Sequence, residues 1–213
     1  MNMGDLIPGA GQTWAAILIL APLLLLGLAT APWKALLARR ERQNALGVAI
    51  VLLPLLWSMS PELGSGPRLQ LLGMTTVTLM FGWQLALLAG LLSGAVLAVA
   101  GNWSVPALPV NLLLTVVVPV LVSMGVLWAA GRLRRSNLFV YMLGVAFGGS
   151  MLSILASFLV GTWLFQPGLD HAVVLLVTFP EGFLNGTLIS AFAVFYPDMV
   201  KTYDDVRYLG KPR

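Results

Sequence analysis

Residues 69–100 have the sequence LQLLGMTTVTLMFGWQLALLAGLLSGAVLAVA, in which no side chain is charged. These 32 residues are too many for one ordinary crossing, because a helix spans a bilayer with about 20 apolar residues. Near the middle, Phe81-Gly82-Trp83-Gln84 interrupts the apolar run with turn-type sequence. The stretch therefore predicts two short helices, residues 69–82 and 83–100, that enter the membrane and return, or a re-entrant hairpin.

The rest of the chain is similarly apolar. Of its 213 residues, 59% are hydrophobic and 9% are charged, and the mean hydropathy is +0.92. A soluble domain carries about 25% charged residues, so this composition excludes a sizeable soluble domain. We expect one all-α membrane bundle over residues 1–213. Besides the pair above, its predicted segments are 13–32, 45–59, 106–130, 137–165 and 172–196, followed by a tail at 197–213.

The basic residues predict the direction of the bundle. Eleven of the 12 lysines and arginines fall in three places: between the first two segments, between residues 130 and 137, and in the tail. Arg68 is the exception. Loops on the cytoplasmic side of a membrane are enriched in Lys and Arg. This distribution predicts about seven segments, with the N-terminus outside and the C-terminus cytoplasmic.

Recognisable catalytic motifs are absent from the sequence. It has no cysteine and one histidine, no glycine-rich phosphate loop ending in lysine, and no metalloprotease histidine pair. We therefore expect a protein that is not an enzyme and that carries no cofactor.

Small residues and tryptophans predict packing rather than chemistry. Gly90, Ser93 and Gly94 form one small-residue face, and a second extends from Gly144 to Ser153; such faces let membrane helices approach closely. Tryptophans lie near the ends of the predicted segments, where interfacial anchors are common; they are Trp14, Trp33, Trp57, Trp103, Trp128 and Trp163.

Glu181 is the ionisable residue placed deepest in a predicted span. It lies about ten residues into the last segment, in the sequence Phe179-Pro180-Glu181-Gly182. A carboxylate at that depth is unfavourable unless it meets a partner or a cavity. Two interpretations stay open: a carboxylate that binds a substrate or cation, or a protonated or hydrogen-bonded glutamate that locks two helices together, with Asn185, Asn111 or a tryptophan indole as partner.

Three motifs together resemble a known family. They are residues 72–83 (LGMTTVTLMFGW), residues 179–186 (FPEGFLNG), and Tyr196-Pro197-Asp198 followed by TYDD at 202–205. In this order they are similar to a proteobacterial branch of the energy-coupling factor (ECF) ABC transporter permeases, in the CbiM-like cobalt/nickel family. The resemblance covers essentially the whole chain.

The resemblance implies a seven-helix substrate-binding subunit in the bacterial inner membrane. Such subunits work with a membrane coupling subunit and cytoplasmic ATPases. In the metal-transporting members, the N-terminal amine, a following histidine and a histidine in the loop before the third helix bind the ion. Here Asn2 and Gln70 stand where those histidines are expected, and amide oxygens are poorer ligands for Co²⁺ or Ni²⁺ than imidazole. The predicted site-lining residues are Met1, Asn2, Gln70, Asn111 and Glu181.

Two functions follow from these observations. The first is a transport subunit for a small solute or a transition-metal ion, driven by partner ATPases. The alternative is a non-transporting accessory or assembly subunit of a larger membrane complex, which the missing metal ligands favour.

Overall fold

The computed structural model describes residues 8–59, 70–133, 137–165 and 171–210. Within these ranges the chain forms helices and no strand. We number the helices α1 (Ala10–Thr30), α2 (Trp33–Leu37), α3 (Arg40–Ser58), α4 (Met74–Phe81), α5 (Trp83–Val99), α6 (Val105–Gly131), α7 (Val140–Gly148 continuing as Gly149–Phe165), α8 (His171–Phe195) and α9 (Asp205–Leu209).

The bundle is apolar on its outside. Among the described residues, four helices are long and apolar enough to cross a membrane: Ala10–Thr30, Val105–Gly131, Val140–Leu164 and Val174–Phe195. Large apolar side chains such as Leu18 and Trp163 are 71% and 80% exposed on the surface, whereas polar ones such as Thr75 and Asn185 are fully buried. Such a surface needs lipid around it. The predicted class, an all-α multi-pass membrane protein, is confirmed.

Contacts between helix ends show that the chain reverses direction at Gly82. At one end, Gln84 Nε2 donates to the carbonyl of Thr30, the last residue of α1 (3.5 Å). At the other end, the rings of Trp57 and Trp103 stack with centroids 5.5 Å apart. Helix α5 therefore starts beside the end of α1 and finishes beside the end of α3. We call the end that contains Thr30, Gln84, Arg42 and the tail the basic end.

Helix α4 is shorter than the sequence predicts. It begins at Met74 rather than near residue 69, and its eight residues span about 12 Å. Gly73 before it and Gly82 after it have φ of +65° and +85°, a left-handed region in which a side chain is strained. The two glycines limit the helix, and residues 70–73 have no helical structure.

The small-residue face of α5 packs against α6. A Cβ atom on Gly94 would lie 2.6 Å from Leu112 Cδ2, and one on Gly90 would lie 2.7 Å from Val116 Cγ2. Real Cβ atoms do not approach neighbours this closely, so the two backbones meet at a distance that only glycine permits. The expectation of tight packing at these glycines agrees with this geometry.

Two of the six tryptophans predicted to be interfacial anchors are buried instead. Trp57 and Trp103 are only 1% and 2% exposed. Their rings stack on each other inside the bundle, and the Trp57 indole donates to the Leu72 carbonyl (2.9 Å). Position near a segment end did not predict an interfacial tryptophan here, because a tryptophan at that depth can also point inward toward a buried carbonyl.

The tail docks on the bundle at the C-terminal end of α4. The backbone N–H groups of Lys201 and Thr202 donate to the carbonyls of Met80 and Leu79, at 3.0 and 3.2 Å. The Thr202 hydroxyl also reaches the Leu79 carbonyl (2.8 Å) and contacts the Tyr141 hydroxyl (2.7 Å). Because Gly82 ends the helix, these carbonyls need partners from elsewhere, and the tail supplies them.

Replacing Thr202 with valine should lower the melting temperature of the detergent-solubilised protein. Valine keeps the shape but removes the hydroxyl between Leu79 and Tyr141, which should lower the free energy of unfolding by about 1–2 kcal/mol. Thr187→Val is the matched control, because Thr187 is exposed on α8. Equal melting temperatures for the two variants would show that this hydroxyl does not hold the tail.

Candidate functional site

The segment from Gln70 to Gly73 crosses the interior of the bundle without regular structure. Gln70, Leu72 and Gly73 are buried. Irregular backbone at membrane depth needs internal partners for its polar groups. Three helices supply them: the Trp57 indole of α3 donates to the Leu72 carbonyl, Gln70 Nε2 donates to Thr115 Oγ1 of α6 (3.3 Å), and Glu181 of α8 accepts from the backbone.

Glu181 binds this segment directly. Its Oε2 accepts the N–H of Leu72 at 2.7 Å, and its Oε1 accepts the N–H of Gly73 at 3.0 Å. Asn185, one turn along α8, donates its amide to the same Oε1 at 2.8 Å. The side chain is fully buried. Three N–H donors suit a group that only accepts, and the carboxylate stands at the N-terminal end of α4, where negative charge is favoured.

Asn185 completes the attachment of α4. Its Oδ1 accepts both the backbone N–H and the hydroxyl of Thr76, at 2.9 and 2.8 Å. The first backbone N–H groups of a helix have no partner inside that helix. Glu181 and Asn185 therefore act together as a cap supplied by another helix. Of the two interpretations of Glu181, the geometry matches helix locking with Asn185 as partner.

The predicted site residues within the described ranges collect around the same segment. Gln70 contacts Thr115, and Asn111 precedes Thr115 by four residues on α6, fully buried. Residues Leu113–Val117 form a π-helical turn. Pro119 lacks an N–H for the carbonyl of Thr115, which explains why the ordinary helical ladder adjusts here. The other two predicted residues, Met1 and Asn2, lie outside the described residues.

A second polar layer extends from this site through three helices. Thr75 Oγ1 of α4 lies 2.9 Å from Ser123 Oγ of α6, which lies 3.2 Å from Ser153 Oγ of α7. Ser150 of α7 donates to the Glu181 carbonyl (3.4 Å). The sequence alone did not single out Thr75, Ser123 or Thr115. Their signal was only a hydroxyl in an apolar helix, which is usually bonded to its own helix backbone.

The chemistry of this cluster is that of hydroxyl and amide groups. Gln70, Asn111 and Thr115 are neutral hydrogen-bonding residues, and both carboxylate oxygens of Glu181 accept hydrogen bonds. Within the described ranges, no group of three or more His, Cys, Asp or Glu side chains is placed to hold a metal ion. The chemistry available in the described part of the cluster is therefore hydrogen bonding by hydroxyl, amide and carboxylate groups.

Comparison with known proteins gives a structural match. No family model matches the sequence, and no curated protein matches it significantly. The fold is similar to a solved structure of a transition metal transporter, with a TM-score of 0.68 and 15% identity over 97% of this chain and 96% of that one. A truncated transition metal transporter gives 0.67 and 15%, over 92% and 98%. At this identity the likeness establishes the shared fold.

Proposed function

We propose that this chain is the substrate-binding membrane subunit of an ECF-type transporter, in the CbiM-like branch. Its cargo would be a small solute or a transition-metal ion. The observation that carries the proposal is the match to two transition metal transporters over nearly the full length of both chains. The likeness therefore includes the helices that surround the buried polar cluster at Gln70–Gly73, which is the proposed binding site.

The proposal includes a topology and partners. Seven membrane segments, with the N-terminus outside and the basic end cytoplasmic, agree with the positions of the basic residues. A membrane coupling subunit and cytoplasmic ATPases would drive transport at the bacterial inner membrane.

The alternative, an accessory subunit of a larger membrane complex, has one observation in its favour. Both carboxylate oxygens of Glu181, which is fully buried, accept hydrogen bonds at the start of α4 or from Asn185. These hydrogen bonds alone explain why a glutamate lies at this buried position, and no bound cargo is needed.

Isolation of the tagged chain from its own host in mild detergent separates these functions. We expect a membrane coupling subunit and ATPases to co-purify and to support ATP-dependent uptake in reconstituted vesicles. Subunits of a respiratory or copper enzyme in their place would contradict transport and favour the accessory role. Elemental analysis of the folded complex then distinguishes a metal cargo from an organic one.

Uptake also tests the proposed site. Replacing both Gln70 and Asn111 with alanine should reduce uptake by about tenfold or more, because the cargo would lose two buried hydrogen-bonding partners. Asn102→Ala is the control, since Asn102 is exposed beyond the end of α5. Unchanged uptake in a folded double variant would show that the cargo binds elsewhere.

A further inference from the structure

A small pocket lies at the basic end, where five elements meet. It is bounded by the α1–α2 junction, the first turn of α3, the end of α4, the start of α5 and the tail, and its cavity volume is about 40 Å³. Its walls are mainly apolar, including Pro32, Leu36 and Phe81. Two cationic side chains, Arg42 and Lys201, also line it. Apolar walls combined with two positive charges suit an amphiphile with an anionic group.

The two cations lack an anionic partner among the described residues. Arg42 Nη2 donates to the backbone carbonyl of Asp198 (2.7 Å), and its Nε is buried with no acceptor. The ion pair in the described part of the chain joins Arg39 to Asp198 at 3.9 Å, and it involves neither pocket residue. Burial, and then the positive charge of Arg42, lower the pKa of the Lys201 ammonium. Two like charges held together in this way favour a bound anion.

Backbone contacts place both basic residues at the pocket. The N–H of Lys201 donates to the Met80 carbonyl, and a Cβ on Gly82 would lie 2.7 Å from Lys201 Nζ. The ammonium therefore lies directly over the α4–α5 turn, in space that only a glycine leaves open. Arg42 is held by its bond to the Asp198 carbonyl. Arg42 is thus positioned before an anion binds, which limits the side-chain entropy lost on binding.

The residues around the pocket are typical of the membrane–water interface. Helix α2 forms one wall, and its Leu37 and Trp33 are 68% and 41% exposed. The Trp33 indole donates to the Leu28 carbonyl near the end of α1 (2.9 Å). A short apolar helix with an exposed tryptophan beside the end of a membrane span is typical of the headgroup level. Phospholipid is the amphiphile present at that level.

We propose that this pocket binds an anionic phospholipid, with the phosphate between Arg42 and Lys201 and the acyl chains along the apolar surface of α2. Basic pockets between membrane helices bind anionic headgroups by the same chemistry. This site is separate from the Gln70–Gly73 cluster and does not depend on the proposed transport function.

Native mass spectrometry of the purified full chain tests the proposal, with phosphatidylglycerol, phosphatidylcholine or inorganic phosphate added to the micelles. The wild type should retain phosphatidylglycerol in preference to phosphatidylcholine. Loss of each basic residue that contacts the phosphate should weaken binding roughly fivefold, so R42Q/K201Q should bind phosphatidylglycerol about 30-fold more weakly. The control K34Q/R40Q removes the same charge from residues of α2 and α3 that do not line the pocket, and it should bind within about twofold of the wild type.

Several outcomes would overturn the lipid site. Equal retention of the two lipids by the wild type would do so, as would equal weakening in the pocket and control variants. Displacement of the lipid by an equal concentration of inorganic phosphate would assign the pocket to a free anion. If R42Q/K201Q does not fold, K201Q alone decides the matter. Lys201 is exposed, and this single change should weaken phosphatidylglycerol binding about fivefold.

Discussion

Replacing Glu181 with glutamine is expected to lower the free energy of unfolding by about 2–4 kcal/mol. The carboxylate accepts three N–H groups, from Leu72, Gly73 and Asn185. Glutamine has one oxygen and an NH2 group of its own, so at least one donor would face another donor. A buried N–H without an acceptor carries its full desolvation cost. Unfolding of the purified protein in mixed micelles, followed by tryptophan fluorescence, measures the change.

Glu41→Gln serves as the control for this variant. Glu41 lies exposed in the first turn of α3, where losing one charge should change stability by less than about 1 kcal/mol. Equal effects of the two variants would contradict the capping role of Glu181. Uptake per folded molecule supplies the second readout. If E181Q keeps the wild-type uptake per folded molecule, the role of Glu181 is structural. If folded E181Q loses uptake, the carboxylate contacts the cargo.

Replacing Gly90 with alanine should destabilise the protein by about 1–3 kcal/mol, although it adds a single methyl group. The new Cβ would lie 2.7 Å from Val116 Cγ2 and would overlap Cγ1. Helices α5 and α6 would have to separate along this contact. Thermal unfolding of the detergent-solubilised variants measures the loss.

Two further variants make the Gly90 experiment specific. A Cβ atom on Gly125 of α6 would meet no neighbouring atom within 4 Å, so Gly125→Ala should leave stability unchanged or raise it by about 0.5–1 kcal/mol through helix propensity. Adding Val116→Ala to Gly90→Ala restores the missing space and should recover part of the stability. If the double variant loses more unfolding free energy than the two single variants together, a steric clash with Val116 is not the cause.

The membrane class was predictable because it depends on composition. A chain with so few charges can fold only where lipid replaces water, and the charge-free length of residues 69–100 together with Gly82 indicated a break in that stretch. The start of α4 was not predictable in the same way. It depends on N–H groups of Leu72 and Gly73 that bind a carboxylate more than 100 residues away. Local pattern carries no information about such a partner.

The candidate site was only partly predictable for the same reason. Glu181 stood out because a carboxylate in an apolar span is unusual, and Asn185 followed from its position four residues later. Thr115 had no such signal, since its place opposite Gln70 depends on the π-helical turn of α6. Ser123 belongs to a polar layer that forms only when α4, α6 and α7 pack together.

Helix α4 has a mechanical consequence that follows from its attachments. Glu181 and Asn185 hold one end, and the backbone of Lys201 and Thr202 holds the other. A single helix of eight residues is stiff over that length. A push or pull on the tail therefore displaces Gln70–Gly73, unless it first breaks one of the two sets of bonds. Helix α4 therefore couples the basic end to the polar cluster. A protein that binds at the basic end and moves the tail would change the position of Gln70–Gly73 inside the bundle.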